Sequence, residues 1–495
     1  MAEETTTANI PTKQKPGILQ RLMGLGAKSP AIEIGIVRFV DAAGVNHERA
    51  IAQSFNAMKG IRAKILKQPS PINLEENRAS QLPNACAQAI EILGKDNFDI
   101  IIWGNIPEPS TTMYIHFVSP PPADEDPPGV FSPFQALMLP VGFDPAVLGG
   151  LLRASALAAV HTKDIYKQSI RRMHAPDAIE AASTAISLLP DDFTPREIAS
   201  THGALANSLA SFAHLFSGTE IYQRAAVSYA NAIKGTSRTE TPVNWAYLKK
   251  NLGMVLHNLA EKNKRDIDSL ERAKESYEEA LEIFSLKTTP FPWAATQGRL
   301  GDVLYRIDVI AGGTDLIKQA LTSFQAALKV FTKKNTPNLW SDVMNNLAQA
   351  AQLLGREKNN KEVVERAVSA CRSALEVRNR KKMPLYWAAT QNNLGSALFT
   401  LGHLSGEIKN FEEALEAFSG AHEVYSELGL NRMVSVMEKN IAKTEDRLPS
   451  RAGGKGGKGD PTLWWMEGDD DEGGASDFPS SAPEIIEPDE EETKA

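Results

Sequence analysis

Four tryptophans recur at nearly equal spacing in the second half of this 495-residue chain. Trp245, Trp293, Trp340 and Trp387 lie 48, 47 and 47 residues apart. A period of this length constrains the fold more than any local feature, because one unit cannot bury its apolar face alone and must stack on its neighbours. The spacing therefore predicts an array of repeated units.

A two-residue opener, in most copies Thr-Pro, begins four residues before each tryptophan. The openers are Thr194-Pro195, Thr241-Pro242, Thr289-Pro290, Thr336-Pro337 and Met383-Pro384, with Ile198 in the tryptophan position of the first copy. Proline at the first helical position loses no hydrogen bond, and a threonine before it can cap the free N–H groups of a helix start. Each opener therefore predicts the start of a helix, and five copies are in register.

Each unit contains two helical patterns. From Trp245, apolar residues follow at helical spacing through Leu248, Leu252 and Leu256, and a small residue stands eight positions after the tryptophan. The second pattern carries an alanine, then Tyr229, Tyr277, Phe324, Cys371 or Phe418 four residues later, and a further alanine three residues on. We expect five antiparallel helix pairs stacked into a solenoid, with the tryptophans packed between helices rather than against a ligand.

This pattern resembles the tetratricopeptide repeat (TPR) family. Leu252-Gly253, Ala273, Tyr277 and Ala280 match the family's Leu-Gly, Ala, Tyr/Phe and Ala positions in order, and the likeness covers about residues 191–430. The family's period is about 34 residues, so the longer period here predicts extended first helices and loops. The resemblance implies a right-handed α-solenoid. Residues 431–447 are predicted to form a closing cap helix, which completes a repeat domain at 191–447.

The resemblance also implies a groove that binds peptides on the concave face. In the TPR family the residue before the Leu-Gly pair points into this groove, where an asparagine can hold a peptide backbone. Asparagine is a poor helix-interior residue, yet it recurs at this register, and its amide both donates and accepts hydrogen bonds. The predicted groove residues are Lys250, Asn251, His257, Arg299, Tyr305, Asn345, Asn346, Gln349, Asn392 and Asn393. The alternative is that the asparagines only solvate an exposed helix face.

Residues 31–118 follow another pattern, which predicts a small α/β domain. Apolar or alternating runs of strand length lie at 32–40, 62–67, 98–103 and 112–118, and helical spacing lies between them at 45–58 and 84–93. Strands that alternate with helices are typical of α/β folds. The stretch from Phe98, followed by the strand at 112–118, resembles the last strands of bacterial CsgG/TolB-N/FlgO-like domains.

The remaining segments are predicted to be connections and tails. Residues 119–190 are interpreted as a Pro-rich linker followed by bridging helices, and residues 1–30 as a disordered segment with a short amphipathic stretch at 17–25. That stretch favours a frayed helix or docking to a protein over contact with a membrane surface. Residues 448–495 are predicted to be a disordered Gly/Lys linker and an acidic tail. The Trp464-Trp465 motif at 461–472 is a candidate for binding the chain's own groove.

Composition and motifs limit the chemistry. Cys86 and Cys371 are the only cysteines, which excludes a disulfide framework or a Cys-rich zinc module and fits a reducing compartment. Of the net charge of −8, residues 461–495 carry −11, so the rest of the chain is close to neutral and offers no electrostatic basis for nucleic-acid binding. The sequence has neither a phosphate-binding loop nor a Gly-x-Ser-x-Gly nucleophile turn, and no two histidines stand at a zinc-ligand interval.

We therefore expect a cytoplasmic protein-interaction scaffold, mostly α-helical, that binds a partner peptide in its groove. It is predicted not to be an enzyme and to use neither a cofactor nor a metal. No transmembrane segment is expected, since the longest apolar run is too short to span a bilayer. The alternative is a regulatory or sensory protein that binds a ligand in the α/β domain of residues 31–118.

Overall fold

The computed structural model describes residues 31–39, 47–69, 78–106, 111–120, 124–263 and 266–449. Fifteen α-helices and one five-stranded sheet lie within these ranges, so the described chain is mostly helical. The predictions for residues 1–30 and for the acidic tail, including 17–25 and 461–472, lie outside the described residues. Within the described ranges, none of the helices combines the length and the apolar character needed to cross a membrane.

The sheet lies near the N-terminus and has the strand order β2-β1-β3-β4-β5. Its strands are β1 (Ile32–Arg38), β2 (Ile61–Pro69), β3 (Ile100–Asn105), β4 (Thr112–Val118) and β5 (Leu137–Pro140). The first three strands run parallel, and β4 and β5 continue the sheet antiparallel. β5 was not among the predicted strands, because a run of four residues inside a Pro-rich segment has too little periodicity to read.

Helices cover both faces of this sheet. They are α1 (Glu48–Gln53), α2 (Arg78–Asp96), α3 (Gly149–Ala159) and α4 (Ile165–Ser187). Along β3, Ile101 and Trp103 pack with the core under α2, whereas Ile100 and Ile102 face the core shared with α3. Burial on both faces explains why β3 is a continuous apolar run rather than an alternating one.

Eleven helices follow and pack in chain order. They are α5 (Pro195–Phe212), α6 (Glu220–Lys234), α7 (Pro242–Lys262), α8 (Ile267–Leu281), α9 (Pro290–Ala311), α10 (Asp315–Ala327), α11 (Pro337–Glu357), α12 (Lys361–Leu375), α13 (Pro384–Ser405), α14 (Ile408–Glu427) and α15 (Asn431–Glu445). Each odd-numbered helix from α5 to α13 starts at a predicted opener proline. These first helices also contact one another from unit to unit.

The small residue of each first helix lies against the ring of the second helix. A Cβ placed on Gly253 would stand 2.6 Å from the Tyr277 ring, and one on Gly395 would stand 2.7 Å from the Phe418 ring. Both distances are far below van der Waals contact, so these positions require glycine. Alanine stands at this position in two units: beside Ala348 the ring position is taken by the smaller side chain of Cys371, whereas the unit of Ala206 keeps a ring, that of Tyr229.

The prediction that threonine caps the first helices holds only for α5. There Thr194 and Glu197 form a reciprocal capping box, which satisfies one donor at each end of the first turn. The predicted capping is wrong for Thr241, Thr289 and Thr336, which make no side-chain cap bond. Their hydroxyl groups bond instead to the backbone four residues earlier and close the preceding turn.

Candidate functional site

An extended segment of the chain itself lies across the first helices of the repeat units. This segment, residues 124–135, leads into β5 and is called the strap below. Its last residue contacts α5, its middle contacts α7 and α9, and Asp124 at its beginning contacts α11. The strap therefore crosses four units in the reverse of their order in the sequence. Several residues predicted to hold a partner peptide hold the strap.

The strongest anchor of the strap is the carboxylate of Asp126. The ammonium group of Lys250 donates a hydrogen bond to this carboxylate, and the two side chains are 3% and 6% exposed. Arg299 donates from Nη2 to the Asp126 carbonyl oxygen at 3.0 Å, and its Nε lies 3.8 Å from the carboxylate. Burial is the largest single influence on the pKa of Arg299 and lowers it, but Asp126, Tyr277, Asp302 and Glu261 together outweigh it and the pKa is raised. Two cations thus compensate one buried anion.

A group of side-chain amides holds the second half of the strap. Asn251 donates from Nδ2 to the Val130 carbonyl oxygen at 3.2 Å. Asn207 of α5 donates to Oε1 of Gln135 at 2.8 Å and accepts a hydrogen bond from the Tyr229 hydroxyl at 2.8 Å. The bond from Asn251 joins a side-chain amide to a peptide backbone, which is the type of contact predicted for this position toward a partner peptide.

Gly129 lets the strap approach the backbone of α5. Its φ of 76° lies in the left-handed region, which glycine adopts without strain. A Cβ at this position would stand 2.2 Å from the carbonyl oxygen of Asn207. Both the backbone conformation and the available space therefore require glycine, and the strap fits the helix surface closely.

Asp124 completes the start of α11. Its carboxylate oxygens accept hydrogen bonds from the backbone N–H groups of Asn338 at 2.6 Å and Leu339 at 2.9 Å. These donors belong to the first turn of α11, where no intrahelical partner exists and a negative charge is favoured by the helix dipole. The strap thus supplies the cap that Thr336 does not provide.

A second group of the predicted residues forms a buried charged cluster between α7 and α9. His257 Nε2 lies 3.3 Å from Asp302 Oδ2, and Arg306 Nη2 lies 2.9 Å from Glu261 Oε1. Burial lowers the pKa of His257, although the nearby Asp302 opposes that shift. Tyr305 beside this cluster is 8% exposed, and burial raises its pKa to about 12. These residues join neighbouring units.

The remaining asparagines bond mainly to one another along the array. Asn393 donates to Asn345 Oδ1 at 2.9 Å, and Asn440 of α15 donates to Asn392 Oδ1 at 3.4 Å. Each of these pairs joins one first helix to the corresponding helix of the next unit, 48 residues along. Asn345, Asn392 and Asn393 are buried, so they do not solvate an exposed face.

Two of the predicted residues, Asn346 and Gln349, lie away from the strap and have partly exposed side chains. They stand three residues apart on α11 and therefore on one helix face. Asp342, one turn before Asn346, is also partly exposed. This short polar surface lies on α11, the helix whose first turn Asp124 caps.

Sequence reasoning missed the strap and its anchors Asp124, Asp126, Asn207 and Gln135. The Pro- and acid-rich composition of residues 120–133 is typical of a linker, and no local pattern links an aspartate to a lysine 124 positions away. In the sequence, the one sign that the strap packs closely is the pair Gly129-Val130, which stands between prolines and aromatic residues. Among the described residues, no group of three or more His, Cys, Asp or Glu side chains is placed to hold a metal ion.

Comparison with protein-family models and with curated proteins gives no match to this chain. The geometry and chemistry of the strap and of the first helices are therefore the basis for assigning a function.

Proposed function

We propose that the protein is an interaction scaffold whose helix pairs form a right-handed, TPR-like α-solenoid and whose concave surface binds an extended peptide of a partner protein. Consecutive packing of the helices, contacts between successive first helices, and the fit of Gly253 against Tyr277 support this arrangement. The observation that carries the function is the bond from Asn251 to the carbonyl oxygen of Val130. Asn251 is predicted to bind the backbone of a partner peptide, and its bond to the backbone of the chain's own strap supports this proposal.

The strap divides this surface into two parts. The part over α5, α7 and α9 is filled by the strap, with the Lys250–Asp126 pair almost completely buried. A partner peptide would instead bind over α11 and α13, where Asn346 and Gln349 are partly exposed. Their amides can both donate to and accept from a peptide backbone, which suits an extended ligand of varied sequence.

Quantitative affinity capture from the native extract, with the full chain as bait, tests this function. The double variant Asn346→Ala/Gln349→Ala should lose the partners that the wild-type chain retains. The matched control is Gln319→Ala/Gln325→Ala, which removes two exposed polar side chains from the second helix α10. Partners retained by the control and lost by the α11 variant support the proposal, whereas equal capture by all three chains contradicts it.

A further inference from the structure

A cavity of about 340 Å³ lies between the sheet and the first two units of the repeat. It is lined by the end of β3, by β4, by the strap residues next to β5, and by α5 and the start of α7. Its volume is at the lower end of the range found for small-molecule sites, about 300–1,000 Å³. Gln135 lines the cavity and also bonds to Asn207, so the cavity adjoins the end of the strap.

Four polar atoms of the residues around this cavity are buried and lack a hydrogen-bond partner among the described residues. They are Asn105 Nδ2, His116 Nδ1, Gln135 Nε2 and Asn244 Oδ1. Asn105, His116 and Gln135 are 4%, 5% and 6% exposed, so solvent at the surface does not satisfy them. Buried polar groups are nearly always paired, and an unpaired one destabilises the fold. Four unpaired polar atoms around one cavity indicate that a ligand enters the cavity and bonds to them.

The four atoms form a neutral set of donors and acceptors. His116 makes a hydrogen bond to the backbone of Gln135, and burial lowers its pKa to about 4, so the ring is uncharged near neutral pH. Because that bond raises the pKa, the ring donates it through Nε2, which leaves Nδ1 as an acceptor. Asn244 Oδ1 is a second acceptor, and the amide nitrogens of Asn105 and Gln135 are donors.

The rest of the lining favours an uncharged, mainly apolar ligand. Met138, Ala199 and Leu248 contribute apolar surface, and the charged lining residues Arg196 and Glu240 are exposed. A charged ligand would lose its hydration on entering the cavity. Because the four polar groups are neutral, no buried counter-charge would compensate for that loss, which is strongly unfavourable.

We propose that this cavity binds a small neutral heteroaromatic or cyclic amide, of the chemical class of a nucleobase, that offers both hydrogen-bond donors and acceptors. The site lies at the junction of the sheet and the repeat units, not within the α/β domain alone. It is separate from the proposed partner surface on α11, so the two proposals can fail independently.

Titration calorimetry of the full chain with adenine, uracil and nicotinamide tests the proposal, with benzoate as a charged aromatic control. At least one neutral probe should bind with a stoichiometry of one, and benzoate should not bind. Asn105→Leu should weaken that binding about tenfold or more, since one hydrogen bond to the ligand is lost. The same substitution should raise the melting temperature of the unliganded protein, because it removes an unpaired buried amide.

Two further variants keep this test decisive. Asn231→Leu makes the same change at a partly exposed site on α6 outside the cavity, and it should leave probe binding unchanged. Gln135→Met removes a second donor and should weaken binding even if Asn105→Leu folds poorly. Absence of binding for all three neutral probes overturns the proposal, because it shows that only water occupies the cavity. Binding that neither cavity variant weakens also overturns it.

Discussion

The carboxylate of Asp124 accepts a hydrogen bond from the backbone N–H of Leu339 at 2.9 Å, across 215 residues of sequence. A helix start is usually capped by the residue just before it, which here is Thr336. The Thr336 hydroxyl bonds to the preceding turn, so α11 depends on the strap for its cap. The strap is part of the connection between β4 and β5, and it thus joins the sheet to the fourth unit of the repeat.

Replacing Asp124 should therefore destabilise α11. We expect Asp124→Ala to lower the free energy of unfolding by about 1–2 kcal/mol, the usual effect of losing a cap. Asp124→Asn should lose less, because asparagine accepts hydrogen bonds and tolerates the φ of 65° at this position. Urea denaturation followed by circular dichroism measures the change. Glu125→Ala is the control, since its exposed contact with Lys163 at 3.8 Å contributes little; equal losses at 124 and 125 would contradict the capping role.

Removing Lys250 should destabilise the fold much more than removing its neighbour. Lys250→Met leaves Asp126 buried with Arg299 as its remaining cation, and breaking a buried ion pair lowers stability by about 3–5 kcal/mol. Lys249→Met breaks a more exposed pair with Glu279, so a loss below about 1 kcal/mol is expected. The double variant Lys250→Met/Asp126→Leu should recover part of the loss. Similar unfolding midpoints for the two single lysine variants would show that the strap anchor is weak.

Two glycines on α9 should respond to alanine in opposite directions. At Gly301 a new Cβ would stand 2.8 Å from the Phe324 ring, and overpacking of this kind lowers stability by about 1–3 kcal/mol. At Gly298 the nearest atom would be 3.5 Å away, an ordinary contact, so alanine should stabilise the helix by up to about 1 kcal/mol. Thermal unfolding of Gly301→Ala and Gly298→Ala compares the two. A gain in stability for Gly301→Ala would refute the packing described between the paired helices.

Stability should fall as the pH drops from 6.5 towards 4. Burial lowers the pKa of His116 to about 4, so in this range the unfolded chain binds a proton that the native protein excludes. The contribution of this group is complete above pH 6.5, and its loss amounts to at most about 1.4 kcal/mol per pH unit. In His116→Gln the slope of unfolding free energy against pH should decrease over this interval. An unchanged slope would mean that folding does not lower the pKa of His116.

The two cysteines should be unreactive in the native protein. Burial raises the pKa of Cys86 to about 11 and that of Cys371 to about 12, so almost no thiolate is present at neutral pH. A disulfide-exchange reagent such as dithionitrobenzoate should label neither thiol in buffer and both in denaturant. Rapid native labelling that Cys371→Ala abolishes would indicate that α12 opens locally.

Much of the helical region could be predicted because its signals are local and repeated. The proline of each opener is the first residue of a helix, and Tyr277 and Phe324 lie against the small residue of the preceding helix. The α/β character of the N-terminal region was also predictable, since β1 and β3 are apolar runs bounded by helical patterns. Repetition improves such inference because each copy tests the pattern found in the others.

The contacts of the predicted groove residues could be foreseen only in part, because they depend on distant segments of the chain. The register that marks Asn251 as a groove residue is visible in the sequence, but the identity of its partner Val130 is not. The same register contains Asn393, which donates to Asn345, a residue one position before this register in the preceding unit, because neighbouring first helices approach closely there. Whether an amide meets a peptide or another amide depends on helix spacing, which no single repeat encodes.

The strap also has a mechanical consequence. Ties at Asp124, Asp126, Val130 and Gln135 join four successive first helices, whereas α13 and α15 have no tie to the strap among the described contacts. If the two ends of the array were pulled apart, the strap would carry part of the force on the first four units. Elastic extension would be concentrated in the fifth unit and α15, which would be more compliant than the four units joined by the strap.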